Sequence, residues 1–240
     1  MIVIAFSGKR ESGKDTGAQH LGQHWLREYA SPGSQRDWPS RHPKKLAMAD
    51  PLKKFVSQWF GIPIEWCNTQ EGKEKKTHLL WESLPLEIQG TLEIGRDEGL
   101  HYYAEGWDRK SGPMTVREVL QIWGTNILRQ ADPNCHARRW TQEARTFEKG
   151  GTPVLFVTDV RFPNEVQTTL SFSDRAYLIR LNRRVQDDDH PSETALDDFT
   201  WPKDRVHFVD NADNSLEEYK TQLDAVFQRI MAQHPTARLR

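Results

Sequence analysis

Cysteine is scarce in this chain, and its scarcity excludes several classes of protein. Cys67 and Cys135 are the only cysteines among 240 residues, and they form no C-x-x-C pair. A disulfide framework or a thiolate zinc site needs more cysteines at closer spacing. The nine histidines form no H-E-x-x-H motif, so we expect no transition-metal site. The composition predicts a protein of a reducing compartment, the cytoplasm.

Long apolar runs and an excess of one charge are also missing. The opening apolar segment, residues 2–6, is too short for a signal peptide, and no later run approaches the roughly 18 apolar residues that span a bilayer. The chain carries 33 basic and 34 acidic residues, for a net charge of -1. Such a balance does not attract nucleic acid. With 36% hydrophobic residues, the composition predicts one soluble domain over residues 1–240, with neither a membrane nor a nucleic-acid partner.

What the sequence does contain is a glycine-rich loop directly after its first apolar segment. Residues 8–14, GKRESGK, match the G-x-x-x-x-G-K pattern, and we predict a strand before them and a helix over 13–29. In such a loop, backbone N–H groups and the start of the helix face phosphate oxygens, while the lysine reaches the β- and γ-phosphates. The alternative is a glycine-rich surface turn. The order of strand, loop and helix favours a site for a nucleoside triphosphate.

Strands and helices alternate along the rest of the chain. The patterns predict strands at 46–49, 153–158, 176–181 and 206–209, and helices at 50–60, 115–130, 133–147, 163–170 and 215–231. This alternation predicts an α/β fold, a parallel sheet with helices on both faces and ligands beyond the carboxyl ends of its strands. Asp50, Asp159 and Asn211 fall at such ends.

Two segments receive more specific predictions. Asp50 is expected to cap a helix, with Pro51 in its first turn, and the apolar face of that helix is formed by Leu52, Phe55, Val56, Trp59 and Phe60. The segment 61–112 lacks the alternation and contains three tryptophans, Trp66, Trp81 and Trp107. We interpret it as an insertion within the single domain. One of its aromatic rings could stack on a nucleobase, although packing is the more usual role of tryptophan.

Six segments carry a more specific pattern. They are SGKRESGKDT at 7–16, LAMADPLK at 46–53, LQIWGTNIL at 120–128, DVRFPNE at 159–165, HPSETAL at 190–196 and NADNSL at 211–216. In this order they resemble the phage-type deoxynucleoside monophosphate kinases, a branch of the P-loop kinase superfamily. Lys14-x-Thr16, with Asp15 where many such loops have Ser or Thr, is a spacing that many nucleoside monophosphate kinases show. The resemblance covers most of the chain and implies a three-layer P-loop NTPase-type fold with an inserted segment and a lid at about 182–197.

The resemblance also implies an activity. Enzymes of this family transfer the γ-phosphoryl group of ATP, with Mg²⁺, to the 5′-phosphate of a deoxynucleoside monophosphate and release ADP and the diphosphate. Because the attacking phosphate oxygen is already anionic, the reaction needs positive charge and positioning more than a base. A phage-encoded enzyme would act in the host cytoplasm, and a homodimer is a family-level expectation.

The loop motif and the resemblance together assign roles to individual residues. The catalytic residues are Lys14, Arg183 and Asp159. The ATP-binding residues are Gly8, Glu11, Ser12, Gly13, Lys14, Asp15, Thr16 and Asn211. The residues that bind the acceptor nucleotide are Arg10, Lys53, Lys73, Arg117, Gly124, Thr125, His136, Asp159, Arg161 and Glu165. Asp159 could also orient Mg²⁺ through water.

Several assignments have structural alternatives. Lys53 could be a solvated helix lysine, and His136 a helix-surface histidine. Asp159 and Arg161 could cap and pair across a turn, and Asn211 could be a turn residue before the last helix. Arg184 stands where the family commonly has proline, so its role stays open.

Other functions also remain open at this stage. The competing enzymes are other small-molecule P-loop kinases, of the phosphomevalonate or dephospho-coenzyme A type. A non-catalytic ATP-binding module is the competing class.

Overall fold

The chain divides into two units in the computed structural model, which describes residues 1–30, 42–85, 110–183, 194–211 and 215–235. The first unit contains Met1–Met48 and Ala137–Arg240, and the second contains Ala49–His136. In chain order, the elements are β1 Ile2–Ser7, α1 Lys14–Tyr29, β2 Lys44–Lys45, α2 Asp50–Phe60, α3 Ile64–Asn68, α4 Gln70–Lys73, β3 Lys76–Leu80, a 3₁₀ turn Trp81–Ser83, β4 Pro113–Thr115, α5 Val116–Gln121, a π-helix Ile122–Arg129, α6 Cys135–Lys149, β5 Val154–Val160, α7 Pro163–Phe172, β6 Ala176–Asn182, β7 Val206–Asp210 and α8 Leu216–Ala232.

A parallel sheet forms the centre of the first unit. Within the described residues it has five strands, in the order β2-β5-β1-β6-β7. The central strand β1 pairs with β5, where Ile2 lies opposite Val154, and with β6, where Val3 lies opposite Ala176. All strand pairs in this sheet are parallel. The predicted α/β fold with a parallel sheet is therefore confirmed.

Alternate side chains of β1 face two different helical layers. Ile2, Ile4 and Phe6 pack into a core formed with α1 and α8, while Val3 and Ala5 pack into a core formed with α6 and α7. Successive side chains of a strand point to opposite faces of the sheet. Because both faces are buried here, the strand sequence is continuously apolar. Each large side chain buried in these cores contributes about 1.5–3 kcal/mol. Helices therefore cover both faces of the sheet, as predicted.

The last helix of the first unit starts at a capping box. The Ser215 hydroxyl accepts the Glu218 N–H at 3.2 Å, and the Glu218 carboxylate accepts the Ser215 N–H at 2.9 Å. These two bonds satisfy N–H groups that have no partner within the helix. They fix the start of α8, which carries Tyr219 toward the glycine-rich loop.

The second unit has a small core of its own. Leu52 and Val56 of α2 pack with Val116 and Val119 of α5, and with Met114 of β4. Strand β4 pairs antiparallel with β3. The described part of segment 61–112 lies in this unit and forms α3, α4, β3 and the 3₁₀ turn, whereas residues 86–109, with Trp107, lie outside the described residues.

Three local predictions are wrong. Leu46–Ala49 is not a strand, because pairing with β5 ends soon after Lys45 and the Met48 N–H donates to the Asp159 carboxylate instead. Asp50 is the first residue of α2 rather than its cap, a position that Ala49 takes without a side-chain bond. Trp59 is 74% exposed, because its ring contacts Phe55 at a centroid distance of 5.7 Å but lies outside the core around Leu52 and Val56.

The predicted helix 115–130 changes its winding midway. It runs as an α-helix to Gln121 and then as a π-helix over Ile122–Arg129. Gly124 and Thr125, both weak α-helix formers, lie in the π-helical part. Such segments are rare and occur frequently at functional sites.

No helix among the described residues is both long and apolar enough to cross a membrane.

Candidate phosphate-binding site

The glycine-rich loop connects the carboxyl end of β1 to the first turn of α1. Gly13 adopts φ 96°, a left-handed conformation that favours glycine, and Glu11 adopts φ 58°. Two side chains from distant parts of the chain hold the loop: the Asn211 amide donates to the Ser12 carbonyl, and the Tyr219 hydroxyl donates to the Gly13 carbonyl, each at 2.9 Å. The loop is thus shaped by long-range bonds as well as by its glycines.

Lys14 turns its side chain back into this loop. Its Nζ donates to the carbonyls of Gly8 at 2.7 Å and Lys9 at 2.5 Å, and to the Ser12 hydroxyl at 3.3 Å. The residue is only 8% exposed. The ammonium group therefore lies at the start of α1, where the helix already presents its positive end.

The surroundings of Lys14 lower its pKa to about 7. Burial is the main cause, and the positive charges of Arg161 and Arg180 act in the same direction, against Asp159 and Asp15. The structure therefore brings Asp159 and Arg161, both predicted site residues, close enough to act on the lysine of the loop. Burial is thus what disfavours the charged lysine, and a bound anion would favour it.

Two of these charged neighbours are fixed by hydrogen bonds. Asp159 Oδ1 accepts the Met48 N–H at 2.5 Å, which orients the carboxylate at the end of β5. Arg180 donates to the Ser7 hydroxyl at 3.0 Å and lies 3.9 Å from the Asp197 carboxylate. The charges around the loop are therefore held in place before any ligand binds.

The other predicted residues of the first unit surround the same loop. Arg183 donates to the Glu11 carbonyl at 2.7 Å, and Arg10 lies 3.5 Å from the Glu11 carboxylate. Asp15 pairs with Lys45 at 3.0 Å, and Thr16 is exposed in the first turn of α1. Most of the predicted lid, residues 184–193 with Arg184, lies outside the described residues.

Glu165 has a structural function at the start of α7. Its side chain is 1% exposed, and one carboxylate oxygen accepts the N–H groups of Arg161 at 2.8 Å and Phe162 at 3.2 Å. These bonds cap the helix and fix the turn that carries Arg161. By accepting these N–H groups, the Glu165 carboxylate fixes the backbone that carries Arg161 beside the loop.

The predicted acceptor residues are divided between the two units. Arg10, Asp159, Arg161 and Glu165 belong to the first unit, and Lys53, Lys73, Arg117, Gly124, Thr125 and His136 belong to the second. In the second unit, Lys53 pairs with Asp50 at 2.9 Å. The charges of Lys53 and Lys73 both oppose the burial that raises the pKa of the Cys67 thiol, so these two lysines share one neighbourhood.

The remaining predicted residues of the second unit form two groups. Arg117 on α5 donates to the Glu74 carboxylate at 2.6 and 2.8 Å and to the Gln70 side chain at 2.9 Å. His136 is buried rather than on the helix surface, and its Nε2 lies 3.0 Å from the Gly124 carbonyl in the π-helix. Thr125, next to Gly124, is partly exposed.

Sequence reasoning missed three residues of the loop site. Arg180, Asp197 and Tyr219 contact the loop or its charges, and none was among the predicted residues. The sequence did contain a signal for Arg180, because this charged residue stands within the apolar part of strand β6, between Ile179 and Leu181. The sequence contains no such signal for Asp197 and Tyr219, because only the folding of the chain brings them close to the loop.

Gly17 allows Tyr219 to reach the loop. A Cβ atom at this position would lie 2.5 Å from the Tyr219 hydroxyl and 2.9 Å from a ring carbon of Phe6. We expect Gly17→Ala to displace Tyr219 and to lower the free energy of unfolding by about 1–3 kcal/mol. Urea unfolding measures this loss.

Gly22 on the same helix is the matched control for Gly17. A Cβ atom there would meet only a ring carbon of Phe156, at 3.8 Å. Gly22→Ala should therefore be neutral, or stabilising by up to about 1 kcal/mol through helix propensity. Equal effects of the two substitutions would contradict the role of Gly17.

Comparison with known proteins bears on the chain as a whole and not on single residues of the site. No protein-family model matches the chain. The chain is similar to the deoxynucleoside-5′-monophosphate kinase of Escherichia phage T5, with 24% identity over 81% of this chain and 85% of that protein. Together with the α/β fold and its parallel sheet, this similarity supports a distant relationship to nucleotide kinases.

Proposed function

We propose that this chain is an ATP-dependent kinase that phosphorylates a deoxynucleoside 5′-monophosphate. The observation that carries the proposal is Lys14, a buried lysine in a loop at the start of a helix, with its pKa lowered to about 7. Burial next to Arg161 and Arg180 destabilises the charged form in the free protein. A bound polyphosphate would compensate this positive charge. Strongly perturbed groups of this kind are typical of functional sites.

The donor groups around the loop fit the triphosphate of ATP. Lys14 and Arg180 supply positive charge, and the start of α1 supplies backbone N–H groups. Glu11, Ser12 and Gly13 form the turn itself. Proposed ATP contacts further along the chain are Asp15, Thr16 and Asn211, the last of which holds the Ser12 carbonyl. Mg²⁺ bound with ATP would neutralise phosphate charge.

In the proposed reaction, a phosphate oxygen of the acceptor attacks the γ-phosphorus of ATP, and the bond to the ADP oxygen breaks. Lys14 and Arg183 would stabilise the negative charge that spreads over the transferred group. The Asp159 carboxylate, already oriented by the Met48 N–H, would orient the Mg²⁺ bound with ATP through a water molecule. No base is required, because the attacking oxygen is already ionised.

The acceptor assignment stays a proposal that rests on the resemblance and on the similarity to the phage T5 enzyme. It includes Arg161 and Asp159 beside the loop, together with Arg10 and Glu165. From the second unit it includes Lys53, Lys73, Arg117, Gly124, Thr125 and His136. Lys53 and Lys73 would contribute positive charge toward the acceptor phosphate.

Binding of ATP should take up protons at Lys14. Above pH 8, most Lys14 side chains are neutral in the free protein, because the pKa is about 7. A bound triphosphate favours the charged form, so we expect an uptake of about one proton per ATP at pH 8.5. Calorimetric titrations in two buffers of different ionisation enthalpy measure this uptake. Lys14→Met should abolish this uptake. If the uptake were unchanged in that variant, a group other than Lys14 would be the one that is protonated.

Acceptor-dependent production of ADP tests the proposal. Purified protein is incubated with ATP and Mg²⁺ and with each of the four deoxynucleoside monophosphates, and Lys14→Ala serves as the blank. We expect at least one deoxynucleotide to stimulate the release of ADP and to appear as the diphosphate. Phosphomevalonate and dephospho-coenzyme A are the comparison acceptors.

Each outcome of this screen has a defined consequence. Stimulation by a deoxynucleotide supports the proposal and gives the range of bases. Stimulation by another acceptor alone would keep the loop chemistry but overturn the proposed substrate. ATP binding without turnover on any acceptor would favour a binding module.

A further inference from the structure

Two histidines and an aspartate meet in the first unit, further along α1 than the glycine-rich loop. His20 and His24 lie one turn apart on α1, and Asp224 lies on α8. His20 Nε2 and His24 Nδ1 are each 2.8 Å from the same carboxylate oxygen, Asp224 Oδ1. The proposed kinase chemistry uses none of these three side chains.

The cluster is not explained as an ordinary surface ion pair. The His20 and His24 side chains are only 13% and 10% exposed. One nitrogen of each largely buried imidazole ring and a carboxylate oxygen thus come together at one place in the fold.

The geometry points to a metal ion. Spacing of i and i+4 places two histidines on one face of a helix, and the three ligand atoms all lie within 4.8 Å of one another. A zinc ion bonded at about 2.1 Å separates its ligand atoms by about 3.4 Å in a tetrahedral site. A separation of 4.8 Å would have to shorten by about 1.4 Å, and the 2.8 Å contacts would have to open by about 0.6 Å, for the three atoms to bind one zinc ion.

Space beside the cluster would admit further ligands. A cavity of about 480 Å³ between α1 and α8 is lined by His20, Asp224, Gln23 and Glu217, and also by the cationic Arg27 and Lys220. Three protein ligands and an open position for water or a small anion form a recurrent zinc arrangement. The polar lining suits such a water.

We infer that His20, His24 and Asp224 form a site for a transition-metal ion of the Zn²⁺ class. Two imidazole nitrogens and one carboxylate match zinc and its neighbours Co²⁺ and Ni²⁺, whereas Mg²⁺ and Ca²⁺ prefer ligands that are all oxygen. The sequence led us to expect no transition-metal site. That expectation considered motifs along the chain, and Asp224 is separated from His24 by most of the sequence.

Metal binding to the full chain tests this inference, in the absence of nucleotide because ATP itself binds zinc. Calorimetric titration with ZnCl₂ should show one tight site per chain. Co²⁺ should give the intense visible absorption of a four-coordinate site. His20→Gln should weaken zinc binding about 100-fold or more, since even the loss of a group behind a ligand costs 10–100-fold. Asp224→Asn should weaken it to a similar extent.

The control variants separate this site from casual binding by histidine. His78 is exposed in the second unit, and Gln23 lines the same cavity without being a ligand. His78→Gln and Gln23→Ala should bind zinc like the parent protein. Zinc should raise the Tm of the parent and of both controls, but not that of His20→Gln.

The outcomes also distinguish this inference from the proposed kinase activity. Absence of stoichiometric zinc binding by the parent, or unchanged binding by both ligand variants, would overturn the metal site. His20→Gln without added zinc should keep the kinase activity of the parent. Loss of kinase activity in Lys14→Ala, with zinc binding intact, would show that the two sites are independent.

Discussion

Lys14→Met should reduce phosphoryl transfer about 1,000-fold while leaving the fold intact. Removal of one preorganised donor from a site of developing negative charge typically costs 10²–10³-fold in rate, and Lys14 is the lysine expected to reach the β- and γ-phosphates. Methionine has a similar length and fits the buried position. Steady-state kinetics with saturating ATP and acceptor measure the loss as kcat.

The stability of this variant separates catalysis from folding. In the folded protein the pKa of Lys14 is about 7, below its ordinary value of 10.5, so between these two values the unfolded chain binds more protons than the folded one. The free energy of unfolding of the parent should therefore rise with pH across this window, and the unfavourable effect of the charged lysine is fully present below pH 7. Lys14→Met should lack this rise with pH. The substitution also removes the hydrogen bonds of Lys14 to the Gly8 and Lys9 carbonyls, so the slope with pH, and not the absolute free energy of unfolding, is the quantity to compare.

Lys45→Met is the matched control for Lys14→Met. Lys45 is also close to the first turn of α1, where it pairs with Asp15 at 3.0 Å, but its side chain is 56% exposed. The loss of an exposed pair should have a small effect on stability and on rate. Comparable loss of activity in the two variants would remove the special role assigned to Lys14.

Much of the sheet could be predicted from the sequence because it is buried on both faces. Val154–Val160 and Ala176–Asn182 are apolar runs of strand length, and both are strands in the structure. The edge strand was placed wrongly, at 46–49 instead of Lys44–Lys45. The Asp159 carboxylate accepts the Met48 N–H, and such a contact across more than a hundred residues leaves no local pattern.

The candidate site was predictable to the extent that it lies on one continuous segment. The loop and Lys14 follow from residues 8–14, because phosphate binding requires glycines and a lysine at fixed spacing. Arg180, Tyr219 and Asp197 come to the loop from other elements, and their proximity depends on the order of the strands and on the packing of α8. The π-helix over Ile122–Arg129 could not be predicted either, because the spacing of its apolar residues resembles that of an α-helix.

Glu165 shows why motif residues need separate tests. The segment DVRFPNE resembles a substrate-binding motif, yet the Glu165 carboxylate is buried on the N–H groups of Arg161 and Phe162. Glu165 thus holds the turn, so its place in the motif does not by itself make it a ligand contact. Arg161 is the residue of this segment whose charge acts on Lys14, and it is therefore the one to test for acceptor binding.

Arg161→Gln should lower kcat/KM for the acceptor nucleotide about 100-fold and change the KM for ATP by less than about 3-fold. A charged hydrogen bond to a phosphate is worth about 1.5–3 kcal/mol, which corresponds to a factor of roughly 10 to 150. Glutamine keeps a hydrogen-bond donor but removes the charge. Initial rates measured with each substrate varied in turn give the two constants.

The effect of Arg161 on Lys14 gives this prediction a second readout. Because the Arg161 charge lowers the pKa of Lys14, Arg161→Gln should raise that pKa toward its ordinary value. The pH window in which ATP binding takes up a proton should then begin at higher pH. Arg175→Gln, a change to an exposed arginine just before β6, should alter neither the kinetics nor this window. If Arg161→Gln impaired ATP and acceptor equally, Arg161 would belong to the triphosphate site instead of the acceptor site.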